Sequence, residues 1–146
     1  MKLDSAGLEV LSRPECLELL GSVSIGRIVF TDRALPAVQP VNFVLDDETV
    51  VIRTTIGSKL AAAARDAIVA FEADDFDPSA RTGWSVTAVG PARAVYESRE
   101  IERLARLPLT AWAPASRDHY ILVQTGHLTG RRISPRPVDR DAAAHD

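Results

Sequence analysis

Three apolar stretches rich in Val and Ile follow one another closely in the first half of the chain, and they constrain the fold most. They are Val23–Thr31, Ala37–Leu45 and Thr49–Thr54, and the polar pairs Asp32-Arg33 and Asp46-Asp47 separate them. Short runs of branched residues bounded by such polar pairs are typical of consecutive strands joined by tight turns. The pattern predicts a β-meander.

The second of these strands carries two prolines, Pro36 at its start and Pro40 inside it. Proline has no N–H to donate to a neighbouring strand. We therefore expect this strand to lie at an edge, to carry a bulge, or to leave one side free for something other than a strand.

A helix over residues 12–20 is predicted before the meander. Ser12 and Glu15 have the spacing of a capping box, Gly21 stands where the helix should end, and Cys16 lies on the face that goes to the core. The rest of the chain predicts, in order, a helix Ser58–Asp66, a strand Ile68–Glu72, a polar excursion Asp74–Gly83, a long strand Trp84–Tyr96 bent at Gly90-Pro91, a helix Ser98–Leu107, a loop Pro108–Arg117, and a strand or broken strand pair Tyr120–Ile133.

About six strands with only short helices predict a mainly β protein, because a doubly wound sheet would need a helix after nearly every strand. We expect an antiparallel barrel. A length of 146 residues suits one domain, which we place at residues 1–133. From Ser134 onward Pro, Asp, Arg and Ala predominate, so residues 134–146 are predicted to be a flexible tail.

Charge and cysteine content narrow the choice of partner and compartment. Seventeen Lys and Arg against twenty Asp and Glu give a net charge of -3, without a basic stripe, so nucleic acid is not expected to bind. One cysteine allows no internal disulfide, and we find no leader-like or long apolar run. We expect a cytoplasmic protein without a membrane partner.

The strongest candidate site is the segment Arg53-Thr54-Thr55-Ile56-Gly57-Ser58-Lys59, where a strand end leads through a glycine turn into a helix. The two cations and the hydroxyls of Thr55 and Ser58 would match a phosphate dianion, and the start of a helix adds N–H donors. The alternative is that Ser58 only caps the helix and Lys59 lies in water. The glycine and lysine spacing is not that of a P-loop.

A second candidate is Gln39-Pro40-Val41-Asn42-Phe43. On a strand, Gln39, Val41 and Phe43 face one way, and Pro40 and Asn42 face the other. Where proline breaks the ladder, main-chain groups could pair with the edge of a flat heterocycle. The alternative is a solvated Asn42 beside a bulge.

The histidines give no further site. His119, His127 and His145 lack paired metal-ligand spacing, and Asp118-His119 has no serine or cysteine nucleophile placed with it. We expect neither a metal site nor a hydrolase. Trp84 and Trp112 are more typical of a core or a dimer interface than of ligand stacking.

Taken in order, several segments resemble the pyridoxamine 5′-phosphate oxidase-like family of flavin-binding split barrels. The resemblance covers about Ser12 to Ile133. Its segments are Leu35-Pro36-Ala37-Val38-Gln39-Pro40-Val41-Asn42-Phe43, Asp46-Asp47, Val51-Ile52-Arg53-Thr54-Thr55, Gly57-Ser58-Lys59-Leu60, Gly83-Trp84-Ser85-Val86 and Val89-Gly90-Pro91-Ala92-Arg93.

The resemblance implies a six-stranded split barrel whose homodimer forms two flavin mononucleotide (FMN) sites across the subunit interface. By the same resemblance, residues of the other subunit's long strand, Trp84 and Val86, would approach the flavin. The phosphate would be held by Arg53, Thr54, Thr55, Ser58 and Lys59, and the isoalloxazine ring would lie along Val38, Gln39, Pro40, Val41 and Asn42.

Two departures from the family pattern bear on function. Related sequences often carry histidine where Arg53 stands, which leaves the charge match to phosphate intact. The end, Gly130-Arg131-Arg132-Ile133-Ser134-Pro135, has no tryptophan, so the family's namesake activity is not predicted.

We expect a flavin-dependent oxidoreductase acting on an unidentified small molecule, in which hydride chemistry belongs to the cofactor. The alternative is a dimer that binds flavin or a deazaflavin coenzyme without turnover. The longer acidic tail of the deazaflavin would need more basic residues at the mouth of the site, for which Arg65, Arg81 and Arg93 are candidates.

Overall fold

The computed structural model describes residues 1–54, 58–63, 65–109 and 119–134. The helices in this part of the chain are α1 (Arg13–Leu20), α2 (Lys59–Ala63) and α3 (Ser98–Leu104). The strands are β1 (Lys2–Leu3), β2 (Glu9–Val10), β3 (Ile25–Asp32), β4 (Leu35–Asp46), β5 (Thr49–Thr54), β6 (Ile68–Asp77), β7 (Thr82–Val95), β8 (His119–Val123) and β9 (His127–Ile133).

Six of the strands close into a barrel. The sheet order runs β7-β6-β3-β4-β5-β8, and β8 pairs again with β7, so the ends meet. All of these pairings are antiparallel. The predicted six-stranded antiparallel barrel is confirmed. Strands β9, β2 and β1 extend the sheet outward from β7.

The long strand β7 changes partner where the sequence predicted a bend. Pro91 is opposite Ile68 of β6, whereas Ala92 is opposite Val123 of β8. A Cβ built on Gly90 would overlap the carbonyl oxygen of Gln124, so glycine lets the backbones approach closely at this corner. The strand continues through both residues and passes from one sheet to the other.

The capping box and the first helix are confirmed. The N–H of Glu15 donates to Ser12 Oγ over 3.3 Å, and the N–H of Ser12 donates to Glu15 Oε1 over 3.0 Å. Cys16 and Leu20 are buried in the main core, together with the inward side chains of the barrel. In the part of the chain described, no helix has the length and apolar character needed to cross a membrane.

Several predicted boundaries were wrong. The excursion Asp74–Gly83 is instead a hairpin, because Asp74–Asp77 pairs with Thr82–Ser85 and only residues 78–81 form the turn. The strands β1 and β2 were not predicted. Helix α3 is three residues shorter than Ser98–Leu107. Of the predicted loop and tail, residues 110–117 and 135–146 lie outside the described residues.

Candidate functional site

The first half of β4 has one free edge. It pairs with β3 from Leu35 to Asn42, but with β5 only from Phe43 to Asp46. Within the described chain, no strand lies on the other side of Leu35–Asn42. Of the three alternatives expected for this proline-containing strand, the structure shows the one in which one side is left free.

Strand geometry identifies what this edge presents. The N–H of Phe43 donates to the carbonyl of Ser24, beside β3, over 3.1 Å. Because main-chain groups alternate along a strand, the nitrogens of Pro36, Val38 and Pro40 point away from β3, toward the free edge. Two of these nitrogens carry no hydrogen. The edge therefore offers carbonyl oxygens and the N–H of Val38, but it cannot pair fully with another strand.

Side chains on this strand alternate as expected. Val41 and Phe43 are buried in the barrel, while Val38 is 65% exposed and Pro40 is exposed. Gln39 and Asn42 are half-buried. The face beside the free edge is thus apolar at Val38 and Pro40.

A cluster of hydroxyl and ammonium groups lies where β5 ends and α2 begins. Thr54 Oγ1 is 3.2 Å from Ser58 Oγ, which accepts a 3.0 Å hydrogen bond from the N–H of Ala61. Lys59 Nζ is 4.0 Å from Asp32 Oδ2 at the end of β3, and the Lys59 side chain is 73% exposed. The predicted cap by Ser58 is confirmed. We call Thr54, Ser58 and Lys59 the hydroxyl–lysine cluster.

Helix α2 is shorter than the predicted Ser58–Asp66. Asp66 has a left-handed backbone with φ 55°, which does not continue an α-helix. Leu60 and Ala61 are buried and anchor the helix on the barrel. With only five residues the helix dipole is small, so the capacity of this end of the barrel to hold an anion depends on its side chains.

Arg53 lies one residue before this cluster, opposite Tyr120 of β8. Its guanidinium carbon is 5.9 Å from the centre of the buried Tyr120 ring. An arginine over an aromatic face is held by a cation–π interaction, which fixes its direction. Thr55 lies outside the described residues, so its predicted role stays a prediction.

The other two predicted site residues lie in the core. Trp84 is 9% exposed and Val86 is fully buried, and both belong to β7. In the sheet, β6 and β3 stand between β7 and β4, so the structure does not bring these residues to the free edge of their own chain. Val86 is opposite Ala73 of β6 on one side and Gly130 of β9 on the other, so strands lie along both of its edges. Their role toward a second subunit stays a prediction.

A charged cluster behind the free edge was missed by the sequence reasoning. Arg27 of β3 is opposite Pro40 on one side and Glu72 of β6 on the other. Arg27 Nη1 lies 3.6 Å from Glu72 Oε1 and 3.4 Å from Asp74 Oδ1. Burial, with a further contribution from Asp74, raises the pKa of Glu72 to about 7. The alternation of Glu72 and Asp74 two residues apart was the available signal.

A surface cavity of about 320 Å³ lies at the end of β7. It is lined by Arg65, Asp66, Arg93, Ala94 and Tyr96. Two of the arginines considered for an acidic tail, Arg65 and Arg93, are therefore brought together. Arg81 does not line this cavity and lies in the turn between β6 and β7.

Two proteins of known structure are similar to this chain in fold and sequence. A protein of Mycobacterium smegmatis described as an FAD binding protein has a similar fold, with a TM-score of 0.72 and 40% identity over 85% of this chain and 96% of that chain. A Corynebacterium glutamicum protein, provisionally described as a pyridoxamine 5′-phosphate oxidase, gives a TM-score of 0.77 and 33% identity over 86% and 92%.

The family assignment rests on sequence. Residues 12–132 match the family described as pyridoxamine 5′-phosphate oxidase. An uncharacterized protein of Mycobacterium tuberculosis, Rv0080, is 41% identical over 128 residues, which cover 84% of each chain. The chain belongs to the pyridoxamine 5′-phosphate oxidase family, as the resemblance of its motifs predicted.

Proposed function

We propose that this protein is a homodimeric flavoprotein that binds a flavin 5′-phosphate along the free edge of β4 and uses it in an oxidoreductase reaction on a small molecule. The observation that carries the proposal is the free, proline-interrupted edge of Leu35–Asn42 in β4. The two strands that pair with β4 end at the hydroxyl–lysine cluster: β5 ends at Thr54, and β3 ends at Asp32 beside Lys59. The description of the 40% identical protein as FAD-binding supports it.

The hydroxyl–lysine cluster has the donor set that a phosphate requires. Thr54 and Ser58 share one hydrogen bond at 3.2 Å, which leaves one hydroxyl hydrogen to donate to a phosphate oxygen, and Lys59 adds a positive charge. Arg53 precedes Thr54 in β5 and lies over Tyr120 on the other face of the strand, so it would add its positive charge from a longer distance. We assign Arg53, Thr54, Thr55, Ser58 and Lys59 to the phosphate group.

The ring of the flavin would lie along Val38–Asn42. Its edge carries both donors and acceptors, and the carbonyls and the Val38 N–H on the free edge of β4 can pair with them. Exposed Val38 and Pro40 give the ring an apolar contact. The amides of Gln39 and Asn42 add polar groups at either face.

A second copy of the chain would complete the site. Val38 and Leu35 are 65% and 69% exposed, and apolar groups this exposed beside a binding strand are better covered than left in water. A two-fold axis would bring the same surface from each subunit together and form two equivalent sites. We assign the segment of β7 in the second subunit that contains Trp84 and Val86 to the far side of the flavin.

The reaction itself would belong to the cofactor, since a bound flavin supplies hydride and electron transfer. The residues of this chain orient the ring and its phosphate and keep water from one ring edge. Leu35–Asn42 contains no titratable side chain, which also suits a dimer that binds flavin without turnover. A change in flavin absorbance on addition of a substrate would distinguish the enzyme from the binding protein.

Titration with FMN, followed by flavin fluorescence and by light scattering, tests the proposal. We expect saturable binding of one flavin per chain and the mass of a dimer. Riboflavin, which lacks the phosphate, should bind more weakly. Absence of flavin binding would contradict the proposal. So would saturable FMN binding by a protein that light scattering shows to be a monomer.

A further inference from the structure

A chain of contacts links the cavity of Arg65, Asp66, Arg93, Ala94 and Tyr96 to the hydroxyl–lysine cluster. Thr54, whose hydroxyl contacts Ser58, is opposite His119 in the β5–β8 ladder. The His119 ring meets the Tyr96 ring edge to face, with centroids 5.9 Å apart, and Tyr96 lines the cavity. A ligand held at Ser58 therefore needs to extend past only the Thr54–His119 pair to reach the cavity.

The side chains of this cavity have the chemistry of a nucleotide site. Arg65 and Arg93 bring two guanidinium groups, which favour phosphate oxygens. Tyr96 is 63% exposed, so its ring has an open face on which a purine can stack. Glu100 accepts a 2.7 Å hydrogen bond from Arg93 Nη2 and so orients that guanidinium.

The size of the cavity agrees with this assignment. About 320 Å³ lies at the lower end of the range of small-molecule sites and is enough for part of a nucleotide. FMN ends at its phosphate and would leave the cavity unused. A flavin dinucleotide would place a second phosphate, a ribose and an adenine beyond the first phosphate.

We propose that this cavity binds the adenylate half of FAD, with Arg65 and Arg93 on the second phosphate and Tyr96 under the adenine. The inference rests on the proposed flavin function and specifies which flavin the site is built for. A deazaflavin with an acidic tail would use the same arginines but would not need the open aromatic face.

The test compares the Kd of FAD with that of FMN in the wild type and in Arg93→Gln and Tyr96→Ala, measured by calorimetry. We expect the wild type to bind FAD at least about tenfold more tightly than FMN. Each variant should lose about tenfold or more in FAD affinity and change FMN affinity by less than about twofold, since a charge-assisted hydrogen bond or a stacking contact is removed.

Arg103→Gln is the matched control. Arg103 is also in a 2.7 Å ion pair, with Asp46, and its side chain is 54% exposed compared with 52% for Arg93, but it does not line the cavity. Its affinity for both flavins should equal that of the wild type.

Three results would overturn the inference. They are equal affinity of the wild type for FAD and FMN, an equal loss of FAD affinity in Arg103→Gln, and tighter binding of a deazaflavin with an oligoglutamate tail than of FAD. The proposed flavin function survives all of them if FMN still binds. If neither FMN nor FAD binds the wild type, the function fails and the inference fails with it.

Discussion

The two halves of β4 are alike in conformation and opposite in their surroundings. From Phe43 to Asp46 the strand is paired on both edges and closes the barrel, whereas from Leu35 to Asn42 it is paired on one edge only. The paired half contains no proline, and the other half contains Pro36 and Pro40 with their nitrogens on the free edge. The comparison teaches that, in the described part of the chain, the half of the strand that lacks two N–H donors is the half that no strand pairs on that edge.

Proline placed in the two halves should have very different effects on stability. Val38 and Val44 are the same residue type on the same strand, and by alternation both direct their N–H away from β3. At Val44 that N–H faces β5, opposite Val51, so Val44→Pro should destabilise the protein by about 2 kcal/mol or more. Val38→Pro, where no strand receives the N–H, should cost less than about 1 kcal/mol. Urea denaturation measures both, and equal losses would contradict the free edge.

Val38→Pro also tests whether the free edge of β4 binds the flavin ring. It removes the N–H that remains between Pro36 and Pro40 on this edge while keeping the strand conformation that these prolines already adopt. If the N–H donates to the flavin ring, FMN affinity should fall about tenfold, the value of one hydrogen bond. Val38→Ala keeps the N–H and should retain most of the affinity. Unchanged FMN affinity in Val38→Pro would show that the flavin ring does not lie along this edge.

The charged cluster behind the free half should make stability depend on pH. Because the folded-state pKa of Glu72 is raised to about 7 from an ordinary 4.5, the unfolded chain releases this proton first as pH rises. The contribution of Glu72 to stability should therefore fall between about pH 4.5 and 7 and then level off. Glu72→Gln should match the wild type at pH 5 and melt about 2–5 °C higher at pH 8.

A second variant, Asp74→Asn, serves as a control for the pH dependence. Asp74→Asn removes a neighbouring negative charge that raises the pKa of Glu72, so the window of pH dependence should move to lower pH. Wild type and Glu72→Gln with parallel profiles from pH 5 to 8 would show that Glu72 does not titrate in this range.

Local chemistry predicted the features that depend on neighbours in sequence. The Ser12 and Glu15 capping box, the Ser58 cap and the free edge beside Pro36 and Pro40 all follow from donors and acceptors within a few residues. The family resemblance supplied the barrel type, which composition alone leaves open. The closed sheet of six antiparallel strands confirmed the barrel, and the family match over residues 12–132 confirmed the resemblance.

Features that depend on distant pairing were not predictable in the same way. Asp74–Asp77 has poor strand composition and forms a strand only because Thr82–Ser85 returns beside it. The two residues of β2 pair with β9, more than a hundred residues away in sequence. Likewise, Arg27 and Glu72 meet only through the register of β3 and β6, and Tyr96 and His119 through β7 and β8.

Lys59→Ala tests the central claim most directly, because it removes the charge assigned to the flavin phosphate. The 4.0 Å pair with Asp32 is exposed and contributes little, so apo stability should barely change. Arg33→Gln, which removes another cation near Asp32, should leave FMN affinity unchanged.

The account predicts that Lys59→Ala lowers FMN affinity about ten- to hundredfold, as expected for a lost charge-assisted hydrogen bond. Riboflavin should bind weakly and equally to both forms, since it has no phosphate. If Lys59→Ala binds FMN as tightly as the wild type, or loses riboflavin affinity to the same degree, the phosphate does not lie at Lys59 and the proposed site is wrong.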